Sequence, residues 1–238
     1  MSAWPEELPL AAVSRLEAGG RQSLTRQAYA MIKERILSNA LAPGYQALEA
    51  EVADDLCMSR TPVREALIRL EAEGLVELKP RHGMRVLPVS PDDMREIYQI
   101  LTALETAAVG LIAGQHQRAD ALADLREACD RMDRCLAEDD LDGWADADEA
   151  FHGALVTHCG NRRLADVCLT FREQTHRARL ITLRLRPKPY ASAADHRALL
   201  AALERGDVSA ARDLHLRHRT WGSELMVDTL VRYNLTSL

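Results

Sequence analysis

The feature that most constrains the fold of this chain is the run SRTPVREAL at residues 59–67. Ser59 and Thr61 can each cap a helix, and the proline that follows suits a first turn, where no backbone N–H is needed. Four apolar side chains then recur at helical spacing and predict a buried face: Val63, Ala66, Leu67 and Leu70. Arg60 and Arg64 fall outside that face. The pattern is typical of a helix that enters the DNA major groove, although an ordinary surface helix with a solvated basic side has the same residues.

The flanking segments favour the DNA-binding interpretation. Residues 75–79 and 84–87 predict two strands, and the segment 80–83 predicts the turn between them. Upstream, an apolar period predicts a helix with Thr25 as its cap, and a second short amphipathic helix spans 48–56. Helices followed by a basic hairpin form a winged helix-turn-helix.

Residues 23–89 resemble the winged-helix domain of the GntR family of bacterial transcription regulators. The matching stretches are LAPG at 41–44, the run at 59–67 and RLEAEGL at 69–75. The resemblance implies that double-stranded DNA is a partner and that five residues contact it: Arg60, Thr61, Arg64, His82 and Gly83. One position departs from the family, because many relatives have an arginine where this chain has Ala50. The DNA sequence recognised is therefore expected to differ from theirs.

The charge of the chain is distributed unevenly. Its net charge is −6, but residues 21–90 hold ten Lys and Arg against nine Asp and Glu, a net +1. Residues 91–238 hold 19 basic and 24 acidic residues, and residues 1–20 hold one and three. DNA binding therefore depends on where the arginines lie, not on bulk charge. We expect a mobile tail at 1–20, a DNA-binding domain at 21–90 and a second domain at 91–238.

The cysteines and the hydropathy suggest a cytoplasmic location. Five cysteines form no CxxC pair and no dense framework, as expected of thiols in a reducing compartment. The first 20 residues lack a basic start followed by an apolar run, and we expect no stretch of membrane-spanning length. We expect no membrane partner.

After residue 91 the hydrophobic period is helical up to the C-terminus. A long helix is expected to begin at Ser90 or Asp92, and further helices are predicted at 119–138, 142–159, 162–186, 192–205 and 208–233. The predicted fold class is mainly α: an N-terminal winged helix-turn-helix and a C-terminal all-α antiparallel helical bundle.

Four side chains of the predicted bundle suggest a metal site: Asp148, His152, His196 and His218. The first two are four residues apart, so they share one helix face, and the other two come from two further helices. Three imidazoles and one carboxylate suit Zn²⁺, Ni²⁺ or another divalent transition metal. Eight histidines allow many pairings, so the residues alone leave an ordinary solvated Asp/His pair open.

The same segments resemble the ligand-binding FCD domain of the FadR-type branch of these regulators. The matching stretches are DEAFH at 148–152, DHRALL at 195–200 and GDVSAAR at 206–212. The resemblance implies that the four residues bind a metal and that a small organic acid is the effector. His215 competes for the last ligand position, but its distance from the Gly206-Asp207 pair favours His218.

A second departure concerns the expected carboxylate clamp. Many relatives have an arginine one turn before the glutamate matching Glu105, where this chain has Leu101. Either another arginine substitutes or the effector is less acidic. Five arginines precede the break at Pro187: Arg172, Arg177, Arg179, Arg184 and Arg186. We expect the last two to complement the helix C-terminus and the others to be solvated.

These features predict a ligand-responsive transcription regulator, not an enzyme, that acts as a repressor and binds a palindromic operator as a homodimer. A metal-dependent hydrolase is the alternative, because an open position on Asp/His-bound zinc can activate water. No well-placed general base stands out for it. In a third interpretation, the metal is purely structural.

Overall fold

The computed structural model describes residues 24–115 and 119–235, so the tail expected at 1–20 lies outside the described residues. The chain divides into two compact units between Pro88 and Val89, two residues before the expected boundary. Each unit has its own hydrophobic core.

The first unit contains three helices and a small sheet in its described residues. The elements are α1 (Leu24–Leu37), β1 (Gln46–Ala47), α2 (Glu49–Asp55), α3 (Arg60–Ala72), β2 (Val76–Lys79) and β3 (Gly83–Val86). The antiparallel strand order is β1-β3-β2, with Val76 opposite Val86 and Lys79 opposite Gly83. The apolar face predicted for α3 is buried, so its opposite face is free to bind. The winged helix-turn-helix is confirmed.

Local details settle one sequence-based expectation and correct two others. Of the two residues expected to cap α3, Ser59 is the N-cap, although its side chain makes no capping hydrogen bond. Thr25 does not cap α1 but lies in its first turn, where its hydroxyl donates to Glu65 at 2.7 Å. The two-residue strand β1 was not predicted, because so short a strand has no periodicity of its own and depends on pairing with β3.

The second unit is a bundle of six helices in its described residues. They are α4 (Pro91–Gly114), α5 (Ala119–Ala137), α6 (Leu141–Thr157), α7 (Arg162–Thr182), α8 (Tyr190–Arg205) and α9 (Val208–Arg232), with a 3₁₀ turn at Leu183–Leu185. The Ser90 hydroxyl accepts from the backbone N–H groups of Asp92 and Asp93, which fixes the start of α4. The all-α fold class is confirmed.

The helix α4 corrects one expectation about hydropathy. It is long and apolar enough to cross a membrane by length and composition alone, so the expectation that no stretch reaches that length is wrong. The central helix of a water-soluble bundle meets the same criterion, because it is apolar on most of its surface. Here α4 packs against α6, α7, α8 and α9, and its middle contains the fully buried Glu105.

Candidate metal centre and nucleic-acid interface

The bundle brings the four predicted metal ligands together. Asp148 and His152 lie one turn apart on α6, His196 lies on α8, and His218 lies on α9. All four are buried, although His218 keeps 8% of its surface exposed. One ligand atom from each of the three histidines lies within 4.8 Å of the other two. Side chains from three helices, α6, α8 and α9, therefore form one polar cluster inside an apolar core.

The distances between these side chains fit a transition-metal site. The Nε2 atoms of His152 and His196 are 3.4 Å apart. Asp148 Oδ1 is 3.7 Å from His196 Nε2, and Oδ2 is 3.9 Å from His152 Nε2. Two ligand atoms that each lie ~2.1 Å from one tetrahedral ion are separated by ~3.4 Å. The Nε2 atoms of His152 and His196 already have this separation, and the Asp148 oxygens lie a few tenths of an ångström beyond it.

Two carboxylates orient the histidine rings from behind. His152 Nδ1 lies 3.0 Å from Glu105 Oε2, and His218 Nδ1 lies 3.3 Å from Asp195 Oδ2. When each Nδ1–H donates to its carboxylate, the Nε2 lone pair is left for the ion, which is the usual outer-shell arrangement for a metal-binding histidine. The donor set therefore fits a divalent metal.

Glu105 was not identified as a site residue from the sequence. It lies on α4 with 0% exposure, and its Oε2 also lies 3.1 Å from His215 Nε2 and 3.4 Å from Arg219 Nε. His215 is therefore engaged with Glu105, as part of a second His/Glu cluster beside the first. A glutamate on the apolar face of a core helix is a signal of a buried polar network, since such a charge needs partners.

The protonation states suit metal binding. Burial lowers the pKa of His152 and of His196 well below the ordinary value, so both rings are neutral at neutral pH. Burial works against the ionisation of Glu105 and Asp148, but other interactions outweigh it. The Arg219 guanidinium, with hydrogen bonds from His152 and His215, holds the pKa of Glu105 well below its usual range, and the Arg179 guanidinium lowers that of Asp148. The centre thus combines neutral imidazoles with ionised carboxylates.

The arginines of α7 are not solvated as expected. Arg172, Arg177 and Arg179 are buried, with 2–6% of their surface exposed. Arg172 Nη2 lies 2.7 Å from Glu149 Oε1, and Arg179 Nη2 lies 3.0 Å from Asp148 Oδ2. The expectation failed because these partners come from α6, and a partner distant in sequence leaves no mark on the local pattern. Arg184, in contrast, is exposed and pairs with Asp142, while Arg186 is half-buried.

A cavity of about 50 Å³ opens beside the metal ligands. Its wall includes Asp148, His152 and His218 together with three groups of hydrogen-bond donors: Trp144, the arginines Arg179, Arg186 and Arg219, and Ser192. Leu101, which replaces the family arginine, is fully buried and does not line it. A small acidic ligand therefore has access to both the ligand set and several cations.

The winged-helix unit has an open groove of about 620 Å³ on the outer side of α3. Arg60 and Arg64 line it from α3, Ala50 from α2, and Lys79 and Arg81 from the hairpin. Arg64 is exposed and lies 3.9 Å from Glu49, so a weak ion pair is its main contact among the described residues. The predicted residue Thr61 is exposed on the same helix. The groove has the charge and exposure that a phosphate backbone needs.

The wing tip holds the other two predicted contacts. His82 is exposed, and its backbone N–H donates to the carbonyl of Lys79 at 2.9 Å. Gly83 has φ +75°, and a Cβ there would lie 2.1 Å from the carbonyl oxygen of Ala47. Glycine at this position is therefore needed for the close approach of β3 to β1, whatever its contact with DNA.

Sequence comparisons agree with this architecture. Residues 24–86 match the profile of the bacterial regulatory proteins of the gntR family, and residues 96–220 match the FCD domain. An HTH-type transcriptional regulator from the TAR-I ttuE-ttuC' intergenic region of Agrobacterium vitis is 43% identical over 153 residues, which cover 63% of this chain and 88% of that one. The HTH-type transcriptional repressor GlaR of Escherichia coli is 28% identical over 80% of this chain and 90% of its own.

Solved structures share the fold. Escherichia coli McbR/YncC superposes with a TM-score of 0.74 at 24% identity, covering 90% of this chain and 100% of its own. A GntR regulator from Rhodococcus sp. RHA1 gives 0.73 at 22%, covering 86% and 98%. These relatives are transcription regulators, not enzymes, so the hydrolase alternative lacks support. The winged helix, the helical bundle and both profile matches identify the chain as a transcriptional regulator of the GntR family with an FCD domain.

Proposed function

We propose that this regulator, a member of the FadR-type branch, binds a palindromic operator as a homodimer and changes its DNA affinity when a small organic acid binds beside a metal in the bundle. In this proposal the DNA-binding domain spans residues 21–90, the effector and dimerisation domain spans 91–238, and residues 1–20 form a mobile tail. The protein acts as a repressor in the cytoplasm.

The observation that carries the metal part of the proposal is the convergence of Asp148, His152, His196 and His218, with the two nearest imidazole nitrogens 3.4 Å apart. Zn²⁺ or Ni²⁺ suits this set of ligands. The metal would supply a Lewis-acidic position for an effector carboxylate. Protein side chains fill only part of its coordination sphere, so positions remain for a ligand.

The open groove supports the assignment of DNA contacts to Arg60, Thr61, Arg64, His82 and Gly83. Two reading helices of a dimer must meet half-sites one DNA turn apart, about 34–36 Å. A single DNA-binding domain with a net charge of only +1 gains little affinity from non-specific attraction to the phosphate backbone. Two such domains that bind together would supply the missing affinity, which supports both the proposed homodimer and the palindromic operator.

The regulation requires a difference in effector affinity between two arrangements of the protein. Coupling free energies of this kind are typically about 1–3 kcal/mol. An acid bound to the metal touches residues of α6 and α9 and, through Glu105, is linked to α4. These contacts give the acid a way to favour one arrangement of the bundle.

The test uses purified full-length protein and an operator selected from a random DNA pool. The wild type should contain one equivalent of divalent metal, and the variant His196→Ala with His218→Ala should lose it, because two of four ligands are gone. The variant should still bind the operator but no longer respond to organic acids. His82→Ala serves as the control, since this exposed histidine lies outside the bundle and should leave the metal content unchanged.

Wild-type protein that neither contains metal nor takes it up would contradict the metal centre. A metal that raises the melting temperature while no acid changes DNA affinity would show that the ion is purely structural. A selected operator without two-fold symmetry would contradict the dimeric binding mode.

A further inference from the structure

The groove on the outer side of α3 has one carboxylate among its cations. The charged residues that line it are Arg60, Arg64, Lys79, Arg81 and Glu49. The phosphates of bound DNA repel a carboxylate in this position, so it lowers the affinity for every DNA sequence alike. Glu49 is therefore compatible with tight DNA binding only where a hydrogen-bond donor offsets this repulsion.

Arg64 offsets only part of the repulsion from within the protein. Its Nε atom lies 3.9 Å from Glu49 Oε1, which is too far for a hydrogen bond. No other basic side chain of residues 24–115 and 119–235 lies within ion-pair distance of Glu49. Ala50, the next residue of α2, also lines the groove but has no charge. The half-buried Glu49 carboxylate can therefore still accept hydrogen bonds from DNA.

Two nearby carboxylates differ from Glu49 because they already have structural partners. Glu51 accepts from the backbone N–H of Leu48 at 2.7 Å, which closes the first turn of α2. Glu77 in the wing lies 2.8 Å from Arg85. Within the described part of the chain, Glu49 makes no hydrogen bond of this kind, so its carboxylate is available to a ligand in the groove.

The base edges of the DNA major groove offer a carboxylate two amino groups, cytosine N4 and adenine N6. Adenine has the acceptor N7 beside its amino group, and this atom repels a carboxylate oxygen. Cytosine has no acceptor of its own on this edge. Its guanine partner has the acceptors O6 and N7, which are the atoms that an arginine binds. A carboxylate beside an arginine therefore matches the donor and acceptors of a G·C pair.

We infer that Glu49 determines operator specificity by accepting a hydrogen bond from cytosine N4, while Arg64 binds a guanine within one base-pair step of that cytosine. The 3.9 Å between the two side chains is close to the rise of about 3.4 Å between neighbouring base pairs. This inference rests on the proposed operator contact of Arg64 and adds a base-reading residue on α2. Glu49 then disfavours other sequences, because its charge meets the phosphates there without a compensating donor.

The experiment removes one amino group from the DNA. Operators are selected from a random pool with full-length wild type, Arg64→Ala and Glu49→Ala, and the lost base preferences locate the guanine and the cytosine. That cytosine is then replaced with 2-pyrimidinone, which lacks only the 4-amino group. In a gel shift the wild type should lose about five- to tenfold in affinity, the factor of one charge-assisted hydrogen bond. Glu49→Ala should bind both operators equally, and this comparison cancels any effect of the weaker base pair.

Asp54→Ala is the matched control. Asp54 is an exposed acid on the same helix that does not line the groove, so the preference for cytosine over 2-pyrimidinone should remain. Glu49→Gln keeps an acceptor oxygen without the charge and should retain part of the preference, which keeps the test valid if Glu49→Ala alters α2. Glu49→Ala should also raise the affinity for unrelated DNA severalfold, because the repulsion of the phosphates is gone.

An equal loss on 2-pyrimidinone for wild type and Glu49→Ala would overturn the inference, because Glu49 would then do no more than orient Arg64. A wild-type operator without a cytosine within one base pair of the Arg64-dependent guanine would overturn it as well. Both results leave the proposed function standing, since the operator is still bound. Wild-type protein that selects no DNA sequence would remove the inference and the proposed function together.

Discussion

The groove on α3 and the metal centre in the bundle both depend on charged side chains, but they differ in how those charges meet water. Arg64 in the groove is exposed and has one distant ion-pair partner at 3.9 Å. Asp148 in the metal centre is buried and lies 3.0 Å from a buried arginine. An exposed charge such as Arg64 can contribute to DNA binding with little effect on the free energy of unfolding. A buried, paired charge such as Asp148 affects both ligand binding and the free energy of unfolding.

The largest effect expected from this difference is at Asp148. Asp148→Asn keeps the shape of the side chain but leaves Arg179 buried beside a weaker partner. In metal-free protein the free energy of unfolding should fall by about 3–5 kcal/mol, measured by chemical denaturation. The control is Asp142→Asn, whose exposed pair with Arg184 should contribute nothing measurable. Equal effects of the two substitutions would mean that burial does not distinguish the pairs.

Gly83 departs from this division. It is a predicted DNA contact, but unlike Arg64 it is also needed for the structure of the wing. Gly83→Ala forces an alanine to adopt φ +75° and places its Cβ against the Ala47 carbonyl. The wing should lose about 1–3 kcal/mol of local stability, measured by hydrogen exchange of β3 in the full chain. Gly114→Ala is the control, since nothing lies within 4 Å of its added Cβ. Unchanged protection of β3 would show that the wing accommodates the methyl group.

Arg64→Ala should have the smallest effect on stability and a clear effect on DNA binding. If Arg64 makes a bidentate contact with guanine, operator affinity should fall by about 1–3 kcal/mol, measured by gel shift, while the unfolding curve stays the same. Arg26→Ala removes an equal charge from an exposed site on α1 outside the groove and controls for bulk charge. An operator affinity unaffected by Arg64→Ala would count against α3 as the reading helix.

Much of the fold follows from local signals in the sequence. The start of α3, the hairpin and the helices of the bundle depend on caps, turn residues and apolar periods, which act over a few residues. The residue types and spacing of the four candidate ligands suggested a metal site, and the resemblance of their motifs to a known domain supported it. The distances between the four side chains depend on how the helices pack, so the sequence alone could not give them.

The sequence did not reveal the environment of the α7 arginines or the role of Glu105. Arg179 and Glu105 are buried only because α6 and α9 bring partners to them, and that proximity depends on how the helices pack. The strand β1 has the same explanation, since its two residues form a strand only beside β3. Long-range partners thus account for what local patterns missed.

The single oxygen Oε2 of Glu105 lies within 3.4 Å of His152, His215 and Arg219, which belong to two different helices. Replacing Glu105 with an apolar residue would leave all three side chains without their shared acceptor, and no one further substitution restores it. Few single substitutions at Glu105 are therefore compatible with a stable bundle. Glu105 and its three neighbours should be inherited together or replaced together, as a block of four.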